Sequence, residues 1–285
     1  MTAPHGVPSA GMGGDLDGLL DVACAAARAG ADVALAWWAR ADELRVEQKA
    51  TPDDLVSQAD RDAECAVRAV LAQHRPDDGV LGEEGGSTTG PSDVQWIIDP
   101  IDGTTNYLYG RPDWAVSVAA ARVADGRLLA AAVAEPVLGR LTAARLGGGT
   151  RGDGTRADGQ RVVAVRAQKL HRAIIELNLG REDQKVRAGR MLDALVPRVR
   201  DIRRGGSAAS ALAQLATGRA DAVWVPGLQP WDCAAGVLLA SEAGCVVGDL
   251  SGSVEGTWPP SGDVLAAAPA LWEPLRVLLA DVYLS

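Results

Sequence analysis

Two aspartates, Asp99 and Asp102, lie three residues apart at the end of an apolar run. Residues 96–98 are a tryptophan and two isoleucines, which is the composition of a strand buried inside a sheet. Pro100 has no N–H to give to a neighbouring strand, so we expect the strand to end there. Two carboxylates so close together repel each other unless a cation or a proton lies between them. Taken alone, the segment also fits an ordinary turn, because Asp, Pro and Gly are common turn residues.

Three further acids occupy comparable positions. Glu83 follows a short apolar segment, Asp60 lies near the start of one predicted helix, and Asp232 begins another. Each acid alone is explained as a helix cap or a solvated side chain. Together with Asp99 and Asp102 they form a set of oxygen ligands of the kind that Mg²⁺ prefers. The chain has only three histidines and none is beside these acids, which disfavours zinc.

Backbone amides beside the two aspartates supply a complementary half of the site. Gly103 and Thr104 can open a helix or a tight turn whose N–H groups point at an anion. The Thr104 hydroxyl can orient a water molecule if Asp60 accepts its proton, and Glu83 can accept a proton directly. These residue types therefore predict metal-assisted hydrolysis of a phosphate ester.

The elements that must position these residues form an interleaved series of helices and strands. Apolar residues recur with helical spacing over residues 15–40, 57–74, 183–199, 207–217, 232–243 and 271–279. Strand patterns cover residues 43–48, 114–123, 128–135, 141–145, 162–166, 173–177, 221–225, 245–247 and 264–267. Such interleaving predicts a layered α/β or α+β protein.

The length of 285 residues and a hydrophobic content of 47% predict one large domain or two packed halves. We expect a flexible N-terminal extension over residues 1–14. We expect an α+β half over residues 15–148 that carries most metal ligands, and an α/β half over residues 149–285 that completes the site with Asp232. The glycine-rich segment 147–160 is the reason for dividing the chain there.

Charge and composition argue against several functional classes. No apolar run approaches the roughly 20 residues of a membrane span, and no basic region leads into an apolar signal segment. The net charge of −9 disfavours a nucleic-acid surface. The four cysteines have no metal-type spacing and fit reduced thiols in a cytoplasmic protein.

Several segments, in this order along the chain, resemble motifs of the inositol monophosphatase family. They are residues 49–60, residues 82–84 (Gly-Glu-Glu), residues 96–106 (Trp-Ile-Ile-Asp-Pro-Ile-Asp-Gly-Thr-Thr-Asn), residues 203–209, residues 231–236 (Trp-Asp-Cys-Ala-Ala-Gly) and residues 242–244. The resemblance covers residues 15–280, and the long Asp-Pro-Ile-Asp-Gly-Thr string is its most specific part.

This resemblance implies a layered αβαβα sandwich of the inositol monophosphatase and fructose-bisphosphatase type. It also implies two or three Mg²⁺ ions, with Mn²⁺ as a substitute, inhibition by Li⁺, and a homodimer. The implied metal ligands are Glu83, Asp99, the carbonyl of Ile101, Asp102 and Asp232. The implied catalytic residues acting on the attacking water are Glu83, Thr104 and Asp60. The implied substrate contacts are the amides of Gly103 and Thr104 for phosphate, and Gly206, Ser207 and Ala208 for the polyol.

One position departs from the family pattern. Animal-type relatives carry an acid on the strand before the Trp-Asp motif, where it accepts hydrogen bonds from inositol hydroxyls. The aligned residue here is Val225. Valine cannot accept a hydrogen bond, and losing a buried polar contact costs about 1 kcal/mol or more. Alternatively, Asp221 or Gln229 compensates, or the alignment is shifted in this loop.

We therefore expect a small phosphorylated polyol or amino alcohol as the substrate. Inositol 1-phosphate is the first choice and histidinol phosphate the runner-up, with fructose 1,6-bisphosphate and 3′-phosphoadenosine 5′-phosphate as further alternatives. A hypothesis of a different class is regulatory binding to the transcription machinery, for which residues 198–204 are the most basic stretch. A solvated helix face explains that stretch equally well.

Overall fold

The computed structural model describes residues 12–44, 46–48, 55–152, 167–180 and 184–283. Its helices are α1 (Met12–Trp38), α2 (Gln58–His74), α3 (Thr104–Leu108), α4 (Lys185–Leu195), α5 (Ala208–Ala216), α6 (Pro230–Glu242) and α7 (Pro269–Tyr283). Its strands are β1 (Val46–Gln48), β2 (Leu55–Ser57), β3 (Gly79–Gly82), β4 (Gly86–Thr88), β5 (Val94–Asp102), β6 (Ala115–Arg122), β7 (Leu128–Glu135), β8 (Arg140–Arg145), β9 (Gly149–Gly152), β10 (Ile174–Leu177), β11 (Asp201–Arg203), β12 (Ala222–Val225), β13 (Val246–Gly248) and β14 (Val264–Ala267).

Two large sheets organise the described chain. The first has the strand order β4-β3-β5-β6-β7-β8-β9, in which only β3 and β5 run parallel to each other. The second has the order β11-β10-β12-β14-β13, in which β10 is parallel to both of its neighbours. A short antiparallel pair, β1 and β2, lies outside both sheets.

Strands buried on both faces divide the core into three apolar layers. On β6, Val116 and Val118 pack with α1 and α2, whereas Ala115 and Ala119 pack with α5 and α6. On β12, Val223 also packs with α5 and α6, while Ala222 and Trp224 pack with α4 and α7. This period-two alternation places a helix layer on each face of each sheet. The layered αβαβα architecture is therefore confirmed.

The end of β5 differs from the expectation that Pro100 stops the strand. The strand continues to Asp102, and its pairing with β6 is irregular between Asp99 and Asp102. Asp99 is opposite Ser117 and Asp102 is opposite Ala115, so β5 carries one extra residue over this interval. The strand tolerates Pro100 because the missing N–H falls within this bulge, where no ladder bond is required.

The second half contains a shorter helix than the pattern predicts. The helical pattern over 183–199 yields α4, which ends at Leu195, two residues before Pro197. Proline disfavours a helical conformation at the preceding residue and cannot continue the hydrogen-bond series. The basic stretch 198–204 is therefore not a helix face: it consists of a turn followed by β11, which lies at the edge of the second sheet.

Some sequence expectations fall on chain that the structure does not describe. These are most of the N-terminal extension (residues 1–11), the bend at 49–54 and the strand at 162–166. The division after residue 148 cuts between β8 and β9, which pair with each other in the first sheet. The two halves remain a proposal, and a division after Gly152 would follow the sheets more closely.

No helix within the described residues has the length and apolar character needed to cross a membrane. All four cysteines lie in the described part of the chain, and none of them forms a disulfide.

Candidate active site

The bulge in β5 brings two aspartates to one site. In a regular strand, residues three positions apart point to opposite faces of the sheet. The extra residue between Asp99 and Asp102 reverses this alternation, so both carboxylates reach the same place. One oxygen of Asp99, one of Asp102 and one of Asp232 all lie within 4.8 Å of one another.

Glu83 lies beside Asp99 because β3 and β5 are parallel neighbours. Gly82 is opposite Ile98, so the next residue of each strand, Glu83 and Asp99, meet at the same sheet edge. The Glu83 N–H donates to the Ile98 carbonyl at 3.3 Å. Burial raises the pKa of Asp99 well above its ordinary value, and the neighbouring carboxylates of Glu83, Asp102 and Asp232 raise it further.

Asp102 is held by the start of α5. Its Oδ2 accepts the Ser207 hydroxyl at 2.6 Å and the Ala209 N–H at 2.6 Å. Burial and the nearby Asp232 raise the pKa of Asp102 to about 8, although both hydrogen bonds act in the opposite direction. The Ser207 side chain is buried and also accepts the Ser210 N–H at 3.1 Å. This side chain therefore orients Asp102 and caps α5, and the expected contact of Ser207 with the substrate stays a prediction.

Asp232 is oriented by the first turn of α6. The helix begins at Pro230 rather than at Asp232, and Asp232 accepts the Gln229 N–H at 2.7 Å in a capping box. The hydroxyl of Ser117, which lies opposite Asp99 on β6, donates to the Trp231 carbonyl at 3.1 Å. This bond fixes the start of α6 against the sheet that carries the other aspartates.

The turn after β5 forms as expected. Gly103 caps α3 with a φ of 95°, a left-handed conformation that favours glycine. The Thr104 hydroxyl donates to the Ile101 carbonyl at 3.2 Å. Asp60 accepts both the N–H and the hydroxyl of Ser57, at 2.8 and 2.6 Å. A proton relay from Thr104 to Asp60 therefore requires the Thr104 hydroxyl to exchange its Ile101 partner.

A cleft of about 250 Å³ opens beside Asp102 and Asp232. Its wall includes residues from the ends of β10 and β12, among them Asn178, Leu179, Gly180, Val225, Pro226 and Leu228, and residues from the loop before α5, namely Arg204, Gly206 and Ala208. The structure thus places Val225, Gly206 and Ala208 on the expected wall. The Asn178 Oδ1 is buried without a hydrogen-bond partner, and Arg204 is exposed.

Gly206 cannot be replaced simply, because its φ is 96° and a Cβ would lie 2.8 Å from the Asn106 amide nitrogen. The Asn106 amide donates to the carbonyls of Asp113 and Gly205, at 2.6 and 2.7 Å. Asn106 therefore holds the loop before α5 against α3, which joins the predicted phosphate side to the predicted alcohol side.

Glu64 is a positioning residue that the sequence reasoning did not identify. Its carboxylate accepts the N–H groups of Glu84 and Gly85, both at 2.8 Å, and Arg68 Nε at 2.7 Å. These bonds fix the turn that carries Glu83. Asp60 and Glu64 are 1% and 2% exposed and lie four residues apart on α2, so a pair of acids on the buried face of a helix was the available signal.

The donor set fits a hard divalent cation. All the converging groups are oxygen donors, as Mg²⁺ prefers, and no histidine or cysteine belongs to the cluster. Burial raises the pKa values of Asp99 and Asp102, and the neighbouring carboxylates raise them further, so ionisation of both acids is disfavoured without a nearby positive charge. A cation bound between these carboxylates would offset the repulsion between their negative charges.

Fold and site together define a metal-dependent phosphatase, a phosphoric monoester hydrolase. The chain belongs to the inositol monophosphatase family, whose model matches residues 15–283. It is 42% identical to an inositol-1-monophosphatase of Mycobacterium leprae over 246 residues, which cover 82% of this chain and 81% of the relative. It is 33% identical to the Nus factor SuhB of Vibrio cholerae over 252 residues, covering 88% and 91%.

A solved structure of extragenic suppressor protein suhB from Bartonella henselae superposes with a TM-score of 0.82 at 31% identity. The match covers 93% of this chain and 98% of that one. The inositol monophosphatase of Anabaena superposes with a TM-score of 0.79 at 26% identity, covering 94% and 97%. Both matches extend over nearly the whole chain and include both sheets.

Proposed function

We propose that this phosphatase hydrolyses inositol 1-phosphate to myo-inositol and phosphate with Mg²⁺ as its metal. The observation that carries the proposal is the convergence of Asp99, Asp102 and Asp232 within 4.8 Å, beside a cleft large enough for a small phosphomonoester. The similarity to relatives named inositol-1-monophosphatase supports the choice of substrate.

Five oxygen donors would hold the metal in this proposal, as two or three ions: the carboxylates of Glu83, Asp99, Asp102 and Asp232, and the carbonyl of Ile101. Bound Mg²⁺, or Mn²⁺ in its place, supplies positive charge for the phosphoryl oxygens and makes a water molecule more acidic. The chain's own residues keep these oxygens in place through the hydrogen bonds of Ser207, Gln229 and Glu64 described above.

Proton handling and phosphate binding are assigned to residues at the ends of β3 and β5. Glu83 is placed to accept a proton from the attacking water, and Thr104 and Asp60 orient that water. The N–H groups of Gly103 and Thr104 donate to the phosphate at the start of α3. These roles rest on the positions of the residues around Asp99 and on the motif that they share with the family.

The alcohol side of the cleft favours a neutral, hydroxyl-rich group over a cationic one. Asn178 presents a buried oxygen without a donor, which a substrate hydroxyl can satisfy. Arg204 places a positive charge at the same wall, and Val225 provides no acid. Histidinol phosphate carries a protonated amine, so Arg204 repels it in this position. The arginine is compatible with fructose 1,6-bisphosphate as an additional substrate, because its second phosphate is anionic.

Phosphate release from a substrate panel tests the proposal. The panel contains inositol 1-phosphate, histidinol phosphate, fructose 1,6-bisphosphate and 3′-phosphoadenosine 5′-phosphate, each assayed with Mg²⁺ and with excess chelator. We expect the highest kcat/KM for inositol 1-phosphate and no release in chelator. Full activity in chelator would refute the metal assignment, and a preference for histidinol phosphate would refute the substrate assignment.

Asp99→Asn tests the ligand assignment directly. We expect turnover to fall by orders of magnitude with the fold retained, because an amide is a weaker ligand than a carboxylate and the burial penalty on the charge disappears. Asp125→Asn is the matched control, since Asp125 is an exposed acid that pairs with Arg122 beyond the end of β6, and the other end of that strand lies opposite Asp102. Near-normal turnover of Asp99→Asn would remove Asp99 from the site.

A regulatory binding role is the second candidate function. It is favoured by the similarity to relatives named Nus factor SuhB, of which the chain covers most of the length. The exposed arginines at 198, 200, 203 and 204 would be the contact surface. A chain that hydrolyses none of the panel substrates but binds components of the transcription machinery would favour this role.

The remaining expectations belong to the same proposal. We propose a cytoplasmic homodimer, which equilibrium sedimentation would test. The inhibition by Li⁺ is tested in the same phosphate-release assay, with K⁺ as the control cation.

A further inference from the structure

A second cavity of the described structure lies away from the catalytic cleft and is larger than that cleft. It has a volume of about 540 Å³ and is lined in part by Ile174, at the start of β10, and by Asp221, just before β12. The cleft is lined instead by Asn178 and Val225, at the other ends of these strands. A strand of four residues spans roughly 13 Å, so the two cavities lie at opposite ends of the strands of the second sheet. We name the larger one the N-edge pocket.

Cationic side chains dominate the N-edge pocket. Lys169, Arg172, Arg200 and Arg219 line it, and Asp221 is the one acid among the described residues that line it. The chain as a whole carries a net charge of −9. The charge of the described residues that line this pocket therefore has the opposite sign to the net charge of the chain. Such a local concentration of one charge in a concave surface raises the local concentration of counter-ions of the opposite sign.

The carboxylate of Asp221 is engaged with the backbone. Its Oδ1 accepts the Ala167 N–H at 3.0 Å, and its Oδ2 accepts the Ile174 N–H at 2.9 Å. Asp201, the acid next to Arg200 in the chain, pairs with Arg203 at 2.6 Å. The acids around the pocket are therefore directed to other partners.

The cations of the pocket differ from many other arginines of this chain. Arg122, for example, pairs with Asp125 at 2.6 Å on the surface. Among the described residues, Lys169, Arg172 and Arg200 are exposed and form no ion pair within 4.0 Å. Their charges are thus available to an external anion.

The volume and the donors together indicate the class of ligand. A cavity of this size is in the range of small-molecule sites and exceeds what a single phosphate ion fills. Guanidinium groups form paired hydrogen bonds with phosphate oxygens, whereas one exposed cation with one anion gains little in water. We propose that the N-edge pocket binds a small anion that carries two or more phosphate groups.

Calorimetric titration with inorganic triphosphate tests this proposal on the full chain. The titration is made at low ionic strength with excess chelator, so that metal-held phosphate at the catalytic site does not contribute. The double variant Arg172→Gln/Arg200→Gln removes two of the pocket charges. The matched control is Arg127→Gln/Arg151→Gln, which removes two exposed arginines from the first sheet and its hairpin.

We expect one triphosphate per chain in the wild type and in the control variant, and binding weakened about tenfold or more in the pocket variant. Hydrolysis of inositol 1-phosphate should be unchanged in the pocket variant, since neither arginine lies in the catalytic cleft. Absence of wild-type binding, or equal weakening in both double variants, would overturn the proposal.

A second titration uses a short single-stranded RNA in place of triphosphate. The proposal predicts that RNA binds more weakly than triphosphate on a per-phosphate basis and does not distinguish the two double variants. If RNA binds more tightly and the pocket variant alone loses it, the pocket is part of a nucleic-acid surface and the small-anion proposal is wrong.

Discussion

Replacing Ser207 by alanine separates two roles of one hydroxyl group. The hydroxyl donates to Asp102 at 2.6 Å and accepts the Ser210 N–H at 3.1 Å as the cap of α5. A hydrogen bond to a charged group contributes about 1.5–3 kcal/mol, and a helix N-cap about 1 kcal/mol. Loss of the hydrogen bond to Asp102 changes the pKa of that carboxylate, while loss of the N-cap changes the stability of α5.

We therefore expect two measurable effects of Ser207→Ala. Without this hydrogen-bond donor, the pKa of Asp102 rises further above its already raised value of about 8. At neutral pH, a metal must then displace a more tightly held proton. The Mg²⁺ concentration for half-maximal phosphate release should rise about tenfold, as is typical for the loss of a partner of a metal ligand. The free energy of unfolding in chelator should fall by about 1 kcal/mol.

Two matched variants make this test specific. Ser207→Thr keeps the hydroxyl and should keep the Mg²⁺ response of the wild type. Ser210→Ala removes a hydroxyl from the same helix, but that hydroxyl donates to Glu135 at 2.7 Å and not to Asp102. If Ser207→Ala lowers stability and leaves the Mg²⁺ response within twofold of the Ser210→Ala variant, Ser207 acts only as a helix cap and the reasoning fails.

Three further substitutions test other parts of the site. Glu64→Gln should slow turnover about tenfold with an unchanged circular dichroism spectrum, because the turn carrying Glu83 loses a charged acceptor; an unchanged kcat would contradict this. Burial raises the pKa of Glu176 above its unfolded value of about 4.3, so stability should fall as pH rises from there through the folded pKa. Glu176→Gln should reduce this change in the free energy of unfolding with pH, measured by denaturant titration at several pH values. An unchanged pH dependence of the stability would contradict this. Val225→Glu should lower the KM for inositol 1-phosphate several-fold by restoring an acceptor at the cleft wall, and an unchanged KM would show that the side chain does not meet the substrate.

Sequence periodicity was sufficient to predict a layered α/β or α+β protein, whereas the αβαβα order of its layers was predicted from the family resemblance. Strands such as β6 and β7 are apolar on both faces, and helices such as α5 carry little besides alanine and leucine, so both had to be interior. The positions of Asp99 and Asp102 at the end of a strand could likewise be read from the run before them. Each of these inferences depends only on neighbouring residues.

The features that could not be predicted from the sequence depend on contacts between segments that are distant in the chain. The bulge after Asp99 is a property of the pairing with β6, and Pro100 by itself indicates only that a ladder bond is absent. Ser207 was expected to contact the substrate because it lies in the segment 203–209 that resembles a family motif, and the start of α5 directs its hydroxyl to Asp102. A motif locates such a residue in the chain without giving the direction of its side chain.

The N-edge pocket could not be predicted from the sequence, because the residues that line it are far apart along the chain. Lys169 and Arg219 are fifty residues apart, and each is unremarkable within its own segment. The parallel pairing of β10 with β12 brings their starting points together and with them the charged residues that precede each strand. Sequence alone gives the number of cations, whereas the sheet order decides which of them share a cavity.

The way in which the three aspartates are anchored has a consequence for the choice among cations. One oxygen of each is occupied by the protein: Asp99 Oδ1 by the Ile101 N–H, Asp102 Oδ2 by Ser207 and Ala209, and Asp232 Oδ2 by the Gln229 N–H. These bonds restrain the rotation of each carboxylate, which favours binding of an ion through one oxygen of each acid. Ca²⁺ has a larger radius and takes six to eight oxygens, often with bidentate carboxylates, whereas Mg²⁺ accepts few protein ligands and keeps its own waters. We therefore expect Mg²⁺ to support phosphate release better than Ca²⁺, which the phosphate-release assay with each ion would test.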